Sequence, residues 1–119
     1  MRVIIAGSRS IKEMDVLKEA IRLSNYEITE VVSGGAGGVD SLGEEWALNN
    51  RIPCKAFPVE GFEWERRKKA GLDRNVRMAH YADALIAVWD GVSSGTKHMI
   101  DTMRALGKLV YVYVYDPNR

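Results

Sequence analysis

The sequence predicts an α/β fold, with five parallel strands in one sheet and helices on both faces. Three observations carry that reading. Short β-branched runs alternate with helix-periodic stretches from end to end, and parallel neighbours need such crossover connections. The chain has 119 residues, 46% of them hydrophobic and 28% charged, which is the size and make-up of one globular domain with its own core. Loops of glycine, serine and threonine follow the first, second and fourth strands.

In order, Arg2 to Ala6 is an apolar run that reads as a strand buried on both faces. Gly7-Ser8-Arg9-Ser10 breaks it. A helix follows with Met14, Leu17 and Ile21 on one stripe and Lys12, Glu13, Lys18 and Glu19 facing water. Ile28 to Val32 is the second strand. Ser33 to Asp40 is a glycine loop, and a second helix carries Val39, Leu42 and Trp46 at helical spacing, with Trp46 as core packing. Arg51-Ile52-Pro53 stops it. The third strand runs from Cys54 to Pro58, with Cys54 as a small core residue. Val59 to Asp73 has the least regular pattern and holds Trp64 and Arg66-Arg67-Lys68-Lys69. This basic run is either a solvated face or a lid over an anion. A short helix spans about Asn75 to Tyr81, and Asp83 to Val88 is the fourth strand. After Trp89 to Thr96, a last helix turns Met99, Ile100, Met103 and Leu106 to the core, with Gly107 at its C-terminus. Leu109 to Val114 is the fifth strand, and Asp116 to Arg119 a tail.

The glycine loop carries the chemistry. Gly34, Gly35, Gly37 and Gly38 lie between a strand and a helix, where bare N–H groups and the helix dipole favour an anion, most often phosphate. Four glycines in five positions cost more chain entropy than a plain turn needs. The spacing is neither G-x-G-x-x-G after the first strand nor the G-K-[ST] of a P-loop, so the motif names phosphate and leaves the ligand open. In a parallel sheet Gly7 to Arg9, Ser33 to Asp40 and Trp89 to Thr96 share one edge, the edge where such folds bind ligands.

Composition narrows the partners. A net charge of +1 gives no overall field toward nucleic acid or membrane, so a small nucleotide ranks ahead of DNA. The single cysteine excludes an internal disulfide and fits a reducing compartment. The first apolar run is too short for a signal peptide, and no stretch reaches the length of a membrane span. The expected place is the cytoplasm. His80 and His98 stand alone, so no metal site and no cofactor are expected.

Gly7-Ser8-Arg9, Ser33 to Asp40, Ala70-Gly71 with Arg74-Asn75, and Trp89-Asp90-Gly91 with Ser94-Gly95-Thr96 recur in that order. This set resembles the SLOG superfamily of Rossmann-like nucleotide-binding domains, in its small single-domain branch related to YspA and YpsA. The resemblance runs from Val3 to about Val112. It implies a three-layer Rossmann-like fold with strand order 3-2-1-4-5, a nucleotide or nucleotide-derived ligand, and a homo-oligomer such as a dimer. Two relatives frame the activity. The cytokinin-activating phosphoribohydrolases cleave the N-glycosidic bond of a nucleoside monophosphate with a P-G-G-x-G-T-x-x-E motif and an upstream arginine. Ser93-Ser94-Gly95-Thr96 matches that loop and Arg74 the arginine, but Met99 stands at the glutamate position, and a thioether takes no proton. DprA, which loads recombinase on single-stranded DNA, has a similar S-G-x-A-x-G-[IV]-D loop and R-N pair, here Ser33 to Asp40 and Arg74-Asn75.

Arg9 and Arg74 are the candidate phosphate ligands, since a guanidinium binds oxyanions bidentately. Gly7, Ser8, Ala36, Gly91 and Gly95 join them as backbone or small-residue contacts. Asp40 either hydrogen-bonds a ribose hydroxyl or N-caps the second helix. Asn75 either caps the third helix or touches the ligand, and Ser94 and Thr96 cap the last helix, bind phosphate, or both. Trp89 either stacks on a base or closes the core. If the protein is a hydrolase, Asp90 with Arg74 is the candidate catalytic pair, Asp90 being the nearest acid by sequence to the missing glutamate. The alternatives are that Asp90 binds ligand hydroxyls, holds a metal, or caps the last helix.

Overall fold

In the computed structural model, which describes residues 1–59 and 67–116, nine elements alternate. They are β1 (Arg2–Gly7), α1 (Met14–Ser24), β2 (Glu30–Ser33), α2 (Val39–Asn49), β3 (Cys54–Ala56), α3 (Arg67–Tyr81), β4 (Ala84–Trp89), α4 (Ser94–Ala105) and β5 (Leu109–Val114). The strands form one parallel sheet in the order β3-β2-β1-β4-β5.

Alternation along the central strands builds the layers, because successive side chains point to opposite faces. Val3 and Ile5 join Leu17, Ala20, Leu42 and Ala47, so α1 and α2 cover one face. Ile4 and Ala6 join Met78, Ala79, Met99 and Met103, so α3 and α4 cover the other. Val3, Ile4 and Ile5 are fully buried, and each contributes about 1.5–3 kcal/mol by leaving water. Trp46 is half-buried against the first of these clusters, as expected. Gly43 lets α2 settle on β1: a Cβ there would lie 2.8 Å from Ile5 Cγ2.

The structure corrects several boundaries. β2 opens at Glu30 rather than Ile28. β3 stops at Ala56: the Phe57 N–H still reaches Ser33 O at 2.8 Å, and Pro58 then has no N–H to offer. Cys54 is exposed, not a core residue, because β3 is an edge strand whose three residues are all exposed. Leu106, 39% exposed, lies outside the core as the C-cap of α4. Gly107 (φ 70°) follows it. Its N–H bonds Arg104 O and the Lys108 N–H bonds Met103 O, each at 3.0 Å, the paired bonds of a Schellman end.

The largest difference is α3. It begins at Arg67, well before the expected Asn75. Its buried positions are Ala70, Asn75, Met78 and Ala79; small and polar residues at helical spacing leave no hydrophobic stripe to read. The basic run falls partly here: Lys69 is exposed. Trp64, Arg66, the side chains of Arg67 and Lys68, and residues 117–119 lie outside the described residues.

Candidate functional site

In a parallel sheet every β-to-α loop leaves by the same edge. The order reverses between β1 and β4, the chain running from β1 toward β2 and from β4 toward β5. Such a switch point opens a crevice, and here it holds a cavity of about 560 Å³.

β1 and β4 come so close that a Cβ on Gly7 would lie 1.9 Å from Val88 O. Ser8, 1% exposed, ties the loops together. Its N–H bonds Val88 O at 3.1 Å, and its carbonyl accepts the Ile11 and Val39 N–H groups at 3.3 and 3.4 Å. Its Oγ accepts the Asp90 N–H at 2.9 Å. Arg9 stands at the rim, exposed, and no ion pair engages it among the described residues.

Among the glycine-loop N–H groups before α2, those of Gly35 and Ala36 are already bonded, and those of Gly34, Gly37 and Gly38 have no partner among the described residues. Gly35 N–H donates to Ser33 Oγ at 3.1 Å, and the Ser33 hydroxyl donates to Glu44 Oε2 at 2.6 Å. Ala36 N–H donates to Asp40 Oδ2 at 3.1 Å. Gly38 (φ 56°) is the N-cap of α2, without a side-chain cap. Asp40 is therefore not the cap: it sits inside the first turn, 5% exposed, where the helix dipole favours an acid. Burial pushes its pKa up to about 6, with the Glu44 carboxylate adding to the rise; the Ala36 N–H, the Arg74 guanidinium and the Gly7 N–H pull the other way.

Arg74 and Asn75 reach the site from the middle of α3, so Asn75 is no helix cap. Arg74 NH1 donates to Gly34 O at 2.7 Å and Nε to Asn75 Oδ1 at 3.3 Å. A Cβ on Gly34 would come within 2.9 Å of the guanidinium and 3.1 Å of Asp40 Oδ2. Glycine therefore keeps room for both charges. Burial lowers the Arg74 pKa, as do the Arg9 and Arg77 charges, while Asp40 raises it. Asn75, 7% exposed, extends the link to α4: Nδ2 donates to Gly95 O at 3.3 Å and meets His98 Nδ1 at 3.2 Å.

The loop after β4 is organised by Asp90. Its Oδ1 accepts the N–H groups of Val92 (2.9 Å) and Ser93 (2.8 Å), and its Oδ2 the Ser93 hydroxyl (2.9 Å). Burial raises its pKa, but the Val92 and Ser93 N–H groups and the Ser93 and Ser8 hydroxyls outweigh that, so the carboxyl lies below its ordinary value. Such a group holds a turn; it is a poor proton donor near neutrality. The first helical bond of α4 runs from Lys97 N–H to Ser93 O at 3.1 Å, leaving the N–H groups of Ser94, Gly95 and Thr96 without an intrahelical acceptor.

Gly7, Ser8, Arg9, Gly34, Ala36, Asp40, Arg74, Asn75, Asp90, Ser94, Gly95 and Thr96 all line this cavity. Gly35 lines a smaller one beside it, of about 230 Å³. Gly37, Gly38, Gly91 and Trp89 line neither. Trp89 packs against the second core cluster and donates its Nε1–H to Ser93 O at 3.0 Å. Sequence reasoning missed Ser10, Ser93 and Met78 as cavity wall, and Met99, 1% exposed, is wall as well as core. Serine before a helix was the available signal for Ser93; Met78 looks like any core methionine. Among the described residues, no three or more His, Cys, Asp or Glu gather as they would around a metal, and no helix is long and apolar enough to cross a membrane.

A model of the YspA, cpYpsA-related SLOG family matches residues 1–65. The Gene 61 protein of Mycobacterium phage D29 is 35% identical over 121 residues, covering 89% of this chain and 90% of its own. The chain belongs to the YspA, cpYpsA-related SLOG family. No solved structure gives a significant match. SLOG membership is compatible with nucleotide-related binding. In this family member the Gly7–Arg9 turn and the glycine loop fall inside the matched residues, whereas Arg74, Asn75 and α4 fall outside them.

Proposed function

We propose that the protein binds a nucleotide or nucleotide-derived phosphate compound at the carboxyl edge of its sheet, as a cytoplasmic sensor or nucleotide-processing protein, working as a homo-oligomer. One observation carries this reading: Arg9, Arg74 and the first turn of α4 line the same cavity of about 560 Å³. Two guanidiniums and a helix N-terminus form a receptor for phosphate oxygens, and the volume falls within the range of small-molecule sites, about 300–1,000 Å³.

A panel of nucleoside mono-, di- and triphosphates tests it by thermal shift. A ligand at a hundred times its Kd adds about 2.7 kcal/mol, a rise on the order of ten degrees for a domain this size. Arg74→Met is expected to fold and to lose that rise. A panel without any shift, or a shift that survives in Arg74→Met, overturns the reading.

A second reading, N-glycosidic hydrolysis, is favoured by one feature. Asp40, not Asp90, is the carboxyl whose pKa lies near neutrality, at about 6, as an acid–base group requires. Free base released by the wild-type protein and not by Asp40→Asn would establish it; retained release in that variant would end it.

A further inference from the structure

The two cavities share a wall. Arg9, Gly34, Ala36 and Arg74 line both the larger cavity, of about 560 Å³, and the smaller, of about 230 Å³. Both candidate phosphate ligands therefore stand at a divide, with room on either side. Building on the phosphate-binding reading above, we propose that the ligand is a pyrophosphate diester: a nucleoside diphosphate whose terminal phosphate carries a second, sugar-sized group.

Three features argue for this class. Two guanidiniums match a linker with two negative charges better than one with a single charge. Arg74 keeps NH2 for a ligand, since NH1 holds Gly34 O and Nε holds Asn75, and Arg9 is in no ion pair among the described residues. The smaller cavity, walled by Pro58, Val59 and Gly71, falls below the roughly 300 Å³ at which small-molecule sites begin, so it suits a sugar-sized group and not a second nucleoside. The nucleoside belongs on the other side, where Met78 and Met99 give the larger cavity an apolar wall.

Gly71 provides the test. It lies in α3 and lines the smaller cavity, and a Cβ placed there meets nothing within 4 Å. A larger side chain there would take up space in the smaller cavity. Titration calorimetry compares three matched pairs: ADP with ADP-ribose, GDP with GDP-mannose, and UDP with UDP-glucose. For the base that binds, the ester is expected to bind at least about tenfold tighter than the plain diphosphate. Gly71→Phe, with Gly71→Leu as a second variant in case the first misfolds, is expected to erase that difference and leave the plain diphosphate as it was. Gly71→Ala keeps it. An ester no tighter than its diphosphate overturns the proposal while phosphate binding stands. So does a Gly71 variant that weakens both partners equally or neither. If no diphosphate binds at all, the parent reading fails and this one with it.

Discussion

Two loops on the same sheet edge, both small-residue segments between a strand and a helix, use their polar groups differently. In Ser33–Gly38 the chain's own groups take part of the polar main chain: Gly35 N–H bonds Ser33, Ala36 N–H bonds Asp40, and Gly34 O accepts from Arg74. The N–H groups of Gly34, Gly37 and Gly38 have no partner among the described residues. In Asp90–Thr96 one carboxylate takes the N–H groups of Val92 and Ser93, and the next three N–H groups, at the start of α4, keep no intrahelical acceptor. The glycine-dense loop thus uses part of its polar groups to position charges, Arg74 and Asp40 above all. The plainer loop uses its carboxylate to hold the turn and presents its free N–H groups at the start of a helix, inside the cavity wall. Glycine density marks where backbone packs closely, and close packing serves a neighbouring side chain as readily as a phosphate.

The sharpest way to break that contrast is inside the glycine loop. Gly37 and Gly38 both have positive φ, 85° and 56°, but their surroundings differ. A Cβ on Gly38 would lie 2.4 Å from Arg9 Cα and 2.5 Å from Ser8 O, both backbone atoms, whereas one on Gly37 meets nothing within 4 Å. Gly38→Ala is expected to cost more than about 4 kcal/mol, through overpacking against main chain and loss of the loop's register. Gly37→Ala carries only the left-handed penalty, about 1–2 kcal/mol, and keeps ligand affinity. Urea unfolding of the pair checks this. Equal losses would mean that the Ser8–Arg9 turn does not rest on Gly38, and lost affinity in a folded Gly37→Ala would return the phosphate to the glycine loop.

These glycines also show what the sequence made legible. Alternating β-branched runs and helical stripes determine the layers, so the parallel sheet and its loop edge were legible in the pattern; the strand order was implied by the family resemblance. Much of the cavity wall was legible where Gly, Ser, Arg or Asp marked a loop, although Ser10 and Ser93 were missed and Gly37, Gly38 and Gly91 lie off it. Other features were hidden for physical reasons. α3 buries Ala70, Asn75, Met78 and Ala79, a face with one large apolar side chain and therefore little hydrophobic periodicity to read. The environment of Asp40 depends on Glu44 and Arg74, one a helical turn away and the other on a distant helix; no local spacing announces such a pairing. Nearness in sequence points to Asp90, whereas the carboxyl with the raised pKa is Asp40.

Asp40 gives the second contrast between the loops. Its folded pKa, about 6, is raised from 3.8, whereas that of Asp90 is lowered. A raised carboxyl pKa means that the native state holds the proton more tightly than the unfolded chain. The stability it contributes is full below about pH 4 and lost as pH rises through about 6. Ionised Asp40 therefore costs the fold about 2–3 kcal/mol at pH 7.5. Asp40→Asn is expected to be stabilised relative to wild type by about that amount at pH 7.5 and by little at pH 4. Denaturation curves of both proteins between pH 4 and 8 measure the difference, and a difference that stays flat with pH removes the argument. Asp90→Asn should show the opposite trend, since a lowered pKa contributes stability that is present above the unfolded value and lost on acidification.

The smallest expected effect tests the plainer loop directly. Ser94 is the first residue of α4, after Ser93 at φ −61° and ψ 118°. That backbone suits the residue before a proline, and proline is favoured at the first helical position because the N–H there has no helical partner to lose. Ser94→Pro should therefore leave the fold intact while deleting one main-chain donor from the cavity wall. If α4 receives the anion, inorganic sulfate, whose charge does not change across the working pH range, should bind about tenfold more weakly, the low end for loss of one hydrogen bond to a charged group, about 1.5 kcal/mol. Ser94→Ala removes the hydroxyl and keeps the N–H, so it separates the two donors. Weakening in Ser94→Pro alone assigns the contact to the main chain. Equal weakening in both assigns it to the hydroxyl. Sulfate bound as tightly by Ser94→Pro as by wild type would leave this N–H with no role, and the division of labour between the two loops would have to be redrawn.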